Sequence, residues 1–179
     1  FATPSIFYMA NVLLHLALGL GLAVAFAWLL KREPDLRRAL ALSLDRKAFI
    51  DLLTEGHAVM GANMLPAPEG QWGMPPEELA KMTGYGNVEA NLAEAKKIME
   101  KLGYSASNTL KTKVSTRNIP LYRDPAVIFI DQMKAIHIEG ELEVIDTTIW
   151  HAKVQRKDYA VGLNTTGVGV DDPDVNLVE

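Results

Sequence analysis

The stretch "LKTKVST" (110–116) opens a series that decides the fold. It is followed by "DPAVIFIDQMKAIHIEG" (124–140), "ELEVIDT" (141–147), "TIWHAKVQRKD" (148–158) and "YAVGLNTTG" (159–167). The first, third and fifth pieces read as strands, and the second and fourth as helices. Asp124 is the expected N-cap of the longer helix, with Pro125 at its first position and an end near Gly140. The order strand–helix–strand–helix–strand implies right-handed crossovers and a mostly parallel sheet, hence an α/β fold. In open α/β sheets, ligands bind beyond the carboxyl ends of the strands. The segment "GVGVDDPD" (167–174) follows such an end.

Upstream, "PDLRRALALSLDRKAFIDLLTEG" (34–56) reads as one amphipathic helix. Asp35 is its expected N-cap, Leu36, Leu40, Leu44 and Ala48 its apolar stripe, and Gly56 its C′ residue. Residues 57–76 form an irregular, proline- and glycine-rich connection of the kind that often carries binding surface. Within it, Trp72 either lines a pocket or packs the loop onto the body. A short proline-led helix in "PPEELAKM" (75–82) and a clear helix in "NVEANLAEAKKIMEKLG" (87–103) complete the reading.

The amino-terminal part is different. Residues 1–30 contain no Lys, Arg, Asp or Glu, and Val12 to Leu30 is a 19-residue apolar run broken only by His15. At ~1.5 Å per residue it reaches roughly 28 Å as a helix, close to the apolar thickness of a bilayer. A signal peptide would carry a basic amino-terminal region and a shorter apolar run. A buried helix is the other alternative, but a membrane-spanning helix is the preferred expectation. Phe7, Tyr8 and Trp28 stand near the interfaces, and Lys31 and Arg32 lie on the cytoplasmic side. The expected domains are therefore 1–34, hydrophobic, and 35–179, globular.

Composition narrows the function. The net charge is −4, with no basic field to attract nucleic acid. There is no cysteine, which excludes disulfides, thiolate metal sites and cysteine nucleophiles. His57, His137 and His151 lack metal-site spacing. Asp172, Asp174 and Asn176 match the first positions of a calcium loop, but Leu177 replaces the required glycine. No nucleophile elbow, Walker A or dinucleotide motif occurs. Asp124, Asp146 and Asp158 read as a cap, a strand-end residue and a turn residue. For the acidic corner, two readings stay open: turn residues facing water, or a carboxylate pairing with a ligand's ammonium or guanidinium group.

Five segments in one order carry a resemblance: "LRRALALSLDRKAFIDLLTEG", "MLPAPEGQWGMP", "AKKIMEKLGY", "VSTRNIPLYRDPAVIFIDQMK" and "DYAVGLNTTGVGVDDPD". From about residue 35 to 179 the chain resembles the extracellular solute-binding proteins of ABC transporters, of the peptide/nickel/oligopeptide-binding type. The resemblance implies part of one lobe of a bilobed periplasmic-binding-protein fold, preceded here by one hydrophobic helix. It implies a receptor that binds a peptide or other small solute and presents it to an ABC permease. The place of work is the periplasmic or extracellular face of the envelope, without catalysis and without a cofactor. It implies that Asp171 pairs with a peptide's α-amino group. The candidate ligand-binding residues are Asp171, Asp172, Trp72, Asn164 and Thr166. The aromatic that often precedes this aspartate is replaced by Gly167, Val168, Gly169 and Val170. The first lobe and the strands beyond residue 179 are expected to be missing. The composition break near Pro34 then reads as a fusion or a joined fragment, with a membrane-anchored sensor or interaction module as the rival function.

Overall fold

The computed structural model describes residues 14, 15, 17–22, 34–62, 64–68 and 70–164. Its contacts divide the chain into two units, residues 1–37 and 38–179. In the first, residues 14, 15 and 17–22 are helical and Leu14, Leu18, Leu20 and Leu22 are exposed. The expected membrane-spanning helix over 12–30 gains no support. Among the described residues no helix is long and apolar enough to cross a membrane. The other residues of that run lie outside the described ones.

The second unit begins in a helical run that covers 34–43. The single helix expected over 34–56 is in fact two. Leu44 and Asp45 are non-helical, and α1 (Arg46–Thr54) starts afresh. The break has a local and a distant cause. The Asp45 carboxylate accepts from the Ala48 N–H at 3.1 Å, which is N-cap geometry. The side chain of Gln132, 87 residues away, satisfies both backbone groups of Asp45. Its Oε1 accepts from the Asp45 N–H at 3.1 Å and its Nε2 donates to the Asp45 carbonyl at 3.2 Å. Ala39, Leu42 and Ser43 are therefore the buried positions of the first run, and Asp35 lies inside it rather than capping it. Glu55 and Gly56, both at positive φ, end α1 as expected.

Helix α2 (Pro76–Leu79) starts on proline, with Glu77 and Glu78 in its first turn. Helix α3 (Val88–Lys101) is capped by Asn87, whose side-chain Oδ1 accepts from the Ala90 N–H at 2.8 Å. Ala95 and Met99 form its buried face. Between them the turn at Gly84 (φ +84°) lies against the helical run. Arg46 fastens it, donating to the Gly84 carbonyl and lying 4.0 Å above the Tyr85 ring.

Three parallel strands follow: β1 (Leu110–Arg117), β2 (Ile138–Ile145) and β3 (Val161–Gly162). The sheet order is β2-β1-β3, which bears out the expected βαβαβ unit. In β1 and β2 the register pairs Leu110 with Ile138 and runs to Arg117 with Ile145. Helix α4 (Pro120–Lys134) connects them and packs on both, burying Ala126, Phe129 and Met133. It starts four residues before the expected Asp124 cap. Pro120 takes the first-turn position its ring favours, and Pro125 lies inside the helix. Nor does the helix run towards Gly140. It stops at Ala135, His137 turns the chain at φ +64°, and Gly140 sits in β2. There a Cβ would lie 2.7 Å from Met133 Cε, so glycine allows the close seat of α4. Helix α5 (Thr147–Gln155) connects β2 to β3, with Trp150 as its buried residue.

Candidate functional site

The carboxyl ends of the strands meet along one edge of the sheet. There β1 contributes Ser115, Thr116 and Arg117, β2 contributes Ile145 and then Asp146, and β3 leads into Leu163 and Asn164. Backbone bonds close this edge: Asn118 N–H to the Ile145 carbonyl at 3.0 Å, and Leu163 N–H to the Ser115 carbonyl at 2.9 Å. The fully buried Thr116 hydroxyl lies within bonding reach of two carbonyls, Tyr122 at 3.1 Å and Leu163 at 3.2 Å. With one proton to give, it bonds one at a time and so ties α4 and the end of β3 to β1.

Asp146 caps α5. Its carboxylate accepts from the Thr148 hydroxyl at 2.6 Å and the Thr148 N–H at 2.8 Å. These two bonds, the hydroxyl's first, hold its pKa below the ordinary aspartate value. It is thus a capping group at a strand end, as its position in the sequence suggested.

Arg117 is the feature that sequence reasoning missed. It ends β1, and Tyr122 in the first turns of α4 holds it. One terminal nitrogen donates to the Tyr122 hydroxyl at 3.0 Å, and the guanidinium carbon lies 4.7 Å from the ring centroid. Its Nε is buried and has no hydrogen-bond partner among the described residues. A guanidinium with a spare donor at this edge is suited to a planar anion such as a carboxylate. The available signal was an arginine at the end of an alternating strand, just before a proline-led helix.

The predicted site residues fare unequally. Asn164 is exposed and lies on this edge, directly after the Leu163–Ser115 bond. Trp72 belongs to the 57–75 connection and is 58% exposed, so its ring does not seat the loop. The loop is packed closely on itself, since a Cβ on Gly70 or Gly73 would lie 2.2 or 2.3 Å from the Leu65 carbonyl oxygen. Thr166, Asp171 and Asp172 lie outside the described residues. Among the described residues, no group of three or more His, Asp and Glu side chains is placed to hold a metal ion.

A concavity of about 960 Å³ lies over the sheet face that carries Lys111, Lys113, Glu139, Glu141 and Glu143. Its charges largely neutralise one another: Lys111 pairs with Glu139 and Lys113 with Glu143, each at 3.8 Å. The Lys111–Glu139 pair is an ordinary solvated contact, whereas Glu143 is half-buried.

Comparison with known proteins places these features. The sequence model for bacterial extracellular solute-binding proteins, family 5 (middle), matches residues 18–178. The match starts inside the apolar run, upstream of the composition break. No curated protein matches the chain. Among solved structures, OppA of Haemophilus influenzae in complex with RPPGFSPFR aligns at TM-score 0.64 and 21% identity, over 79% of this chain and 28% of that one. DppA of Helicobacter pylori in complex with the peptide STSA aligns at TM-score 0.61 and 22% identity, over 81% and 26%. The Escherichia coli murein tripeptide binding protein MppA aligns at TM-score 0.62 and 16% identity, over 80% and 28%. The chain thus spans just over a quarter of the length of each, and at these identities the likeness is one of fold. With most of its length matched by one family, the chain belongs to the bacterial extracellular solute-binding proteins of family 5.

Proposed function

We propose that this chain is part of the ligand-binding component of an ABC-type uptake system. The ligand is a peptide or related small solute, captured at the periplasmic or extracellular face and handed to a membrane permease. Binding and release involve no covalent step. Family membership supports the class, and the peptides in the OppA and DppA complexes support the ligand. The observation that carries the reading to particular residues is the partly buried Arg117, with its spare Nε donor, at the carboxyl ends of the strands. It would receive a peptide's terminal carboxylate, Asn164 would contribute a neighbouring polar contact, and Asp171 would take the α-amino group. Asp172, Thr166 and Trp72 complete the proposed contact set.

The test is calorimetric titration with tetraalanine and with its carboxyl-terminal amide. Replacing Arg117 by glutamine removes a charge-assisted contact, so tetraalanine affinity should fall roughly ten- to a hundredfold. The amide should bind the variant and the original chain alike. Equal loss for both peptides, or no loss for either, contradicts the assignment of Arg117.

A further inference from the structure

Among the described residues, strand β3 is held to the sheet by a short stretch of backbone. Its described pairing with β1 is Val114 with Val161 and Ser115 with Gly162, followed by the Leu163–Ser115 bond. Helix α5, which delivers β3, has one buried residue, Trp150.

A side-chain cluster around Glu143 adds an attachment of α5 and the turn before β3 to the sheet. Ser115 is fully buried, and its hydroxyl donates to Glu143 Oε2 at 2.5 Å, joining β1 to β2. The same carboxylate faces Lys153 of α5 at 3.6 Å. Lys153 also reaches Asp158, at 3.5 Å, in the turn that enters β3. Lys153 is only 18% exposed and Glu143 29%, so this pair is less screened than the surface ladder beside it. The backbone carbonyl of Ser115 accepts the Leu163 N–H. One residue thus links the ionic cluster to the edge that carries Asn164.

We propose that Glu143, Lys153 and Asp158 form an ion-pair latch that holds α5 and β3 against the sheet and so positions the carboxyl edge. Opening the latch releases α5 and residues 158–164 while β1, β2 and α4 stay paired. Its bearing on ligand capture rests on the function proposed above; the latch itself does not. The groups facing Glu143 are Ser115 and Lys113 from β1, Lys153 from α5 and, through Lys153, Asp158. The Ser115 bond first, then Lys153 and Lys113, lower the pKa of Glu143 below its ordinary value. A carboxylate lowered on folding stabilises the closed form above its unfolded pKa. That contribution is lost as pH falls through the lowered folded value, so the latch is closed at neutral pH and released in acid.

Hydrogen exchange followed by NMR tests this without any ligand. In Lys153→Met, which keeps most of the apolar stem, the Leu163 amide should exchange about tenfold faster. The Asn118 amide, bonded to β2, should be unchanged. Glu143→Gln should act alike, and the double variant should add little to either single one. In the original chain, acidification through the carboxylate range should speed Leu163 opening relative to Asn118, after correction for intrinsic exchange. Unchanged exchange at Leu163 in both variants, or an equal rise at Leu163 and Asn118, overturns the proposal.

Discussion

Replacing Trp150 by alanine is expected to lower stability by about 3–5 kcal/mol, the range for truncating a buried tryptophan. Trp150 is 2% exposed and is the one buried residue of α5. Truncation gives up a large apolar area and leaves a space that neighbouring side chains fill only in part. The adjacent Ile149 makes the control, because it is 57% exposed. Its replacement by alanine should stay within about 0.5 kcal/mol. Urea unfolding followed by circular dichroism reads both values as shifts in the midpoint. Similar shifts for the two variants would show that α5 is not seated through Trp150.

The second large effect lies at Gly84. Its φ of +84° belongs to the left-handed region, and a Cβ there would stand 2.5 Å from the backbone carbonyl oxygen of Ala41. Backbone cannot swing aside as a side-chain tip can. The conformational penalty of about 1–2 kcal/mol and an overpacking term of similar size make Gly84→Ala destabilising by roughly 2–5 kcal/mol. Gly103 is the comparison. It has φ +90° but open space around its Cβ position, so Gly103→Ala carries the conformational penalty alone. The difference between the two urea midpoints isolates the steric contribution from Ala41. Equal midpoints would mean that the turn at Gly84 does not press on the helical run.

What could be read from the sequence was what local pattern controls. The alternation in 110–116 and 141–147, with helical segments between, led to the parallel sheet because each crossover is short and continuous in the chain. What escaped was settled from far away or by competing local signals. The helix over 34–56 reads as unbroken, and its break at Asp45 depends on Gln132 in α4. Pro120 and Pro125 both offer a helix start, and Pro120 comes first. Gly140 resembles a helix terminator, whereas its role is to admit Met133 and Ile130 against β2.

The candidate site divides in the same manner. The rule that ligands gather at strand ends pointed to residues 167–174, beyond the expected strand 159–167; Asn164 comes to the edge because β3 ends earlier, at Gly162. Arg117 escaped because its significance lies in a tertiary contact. Its Tyr122 partner and a buried Nε with no partner among the described residues distinguish it from an ordinary strand-end arginine.

The most direct measurement is chemical-shift mapping of the isotope-labelled chain during titration with tetraalanine to millimolar concentration. The account predicts the largest changes at Arg117, Asn118, Leu163 and Asn164, along the carboxyl ends of the strands. Largest changes at Lys111, Lys113, Glu139 and Glu141, on the charged face of the sheet, would contradict it, as would no changes at all.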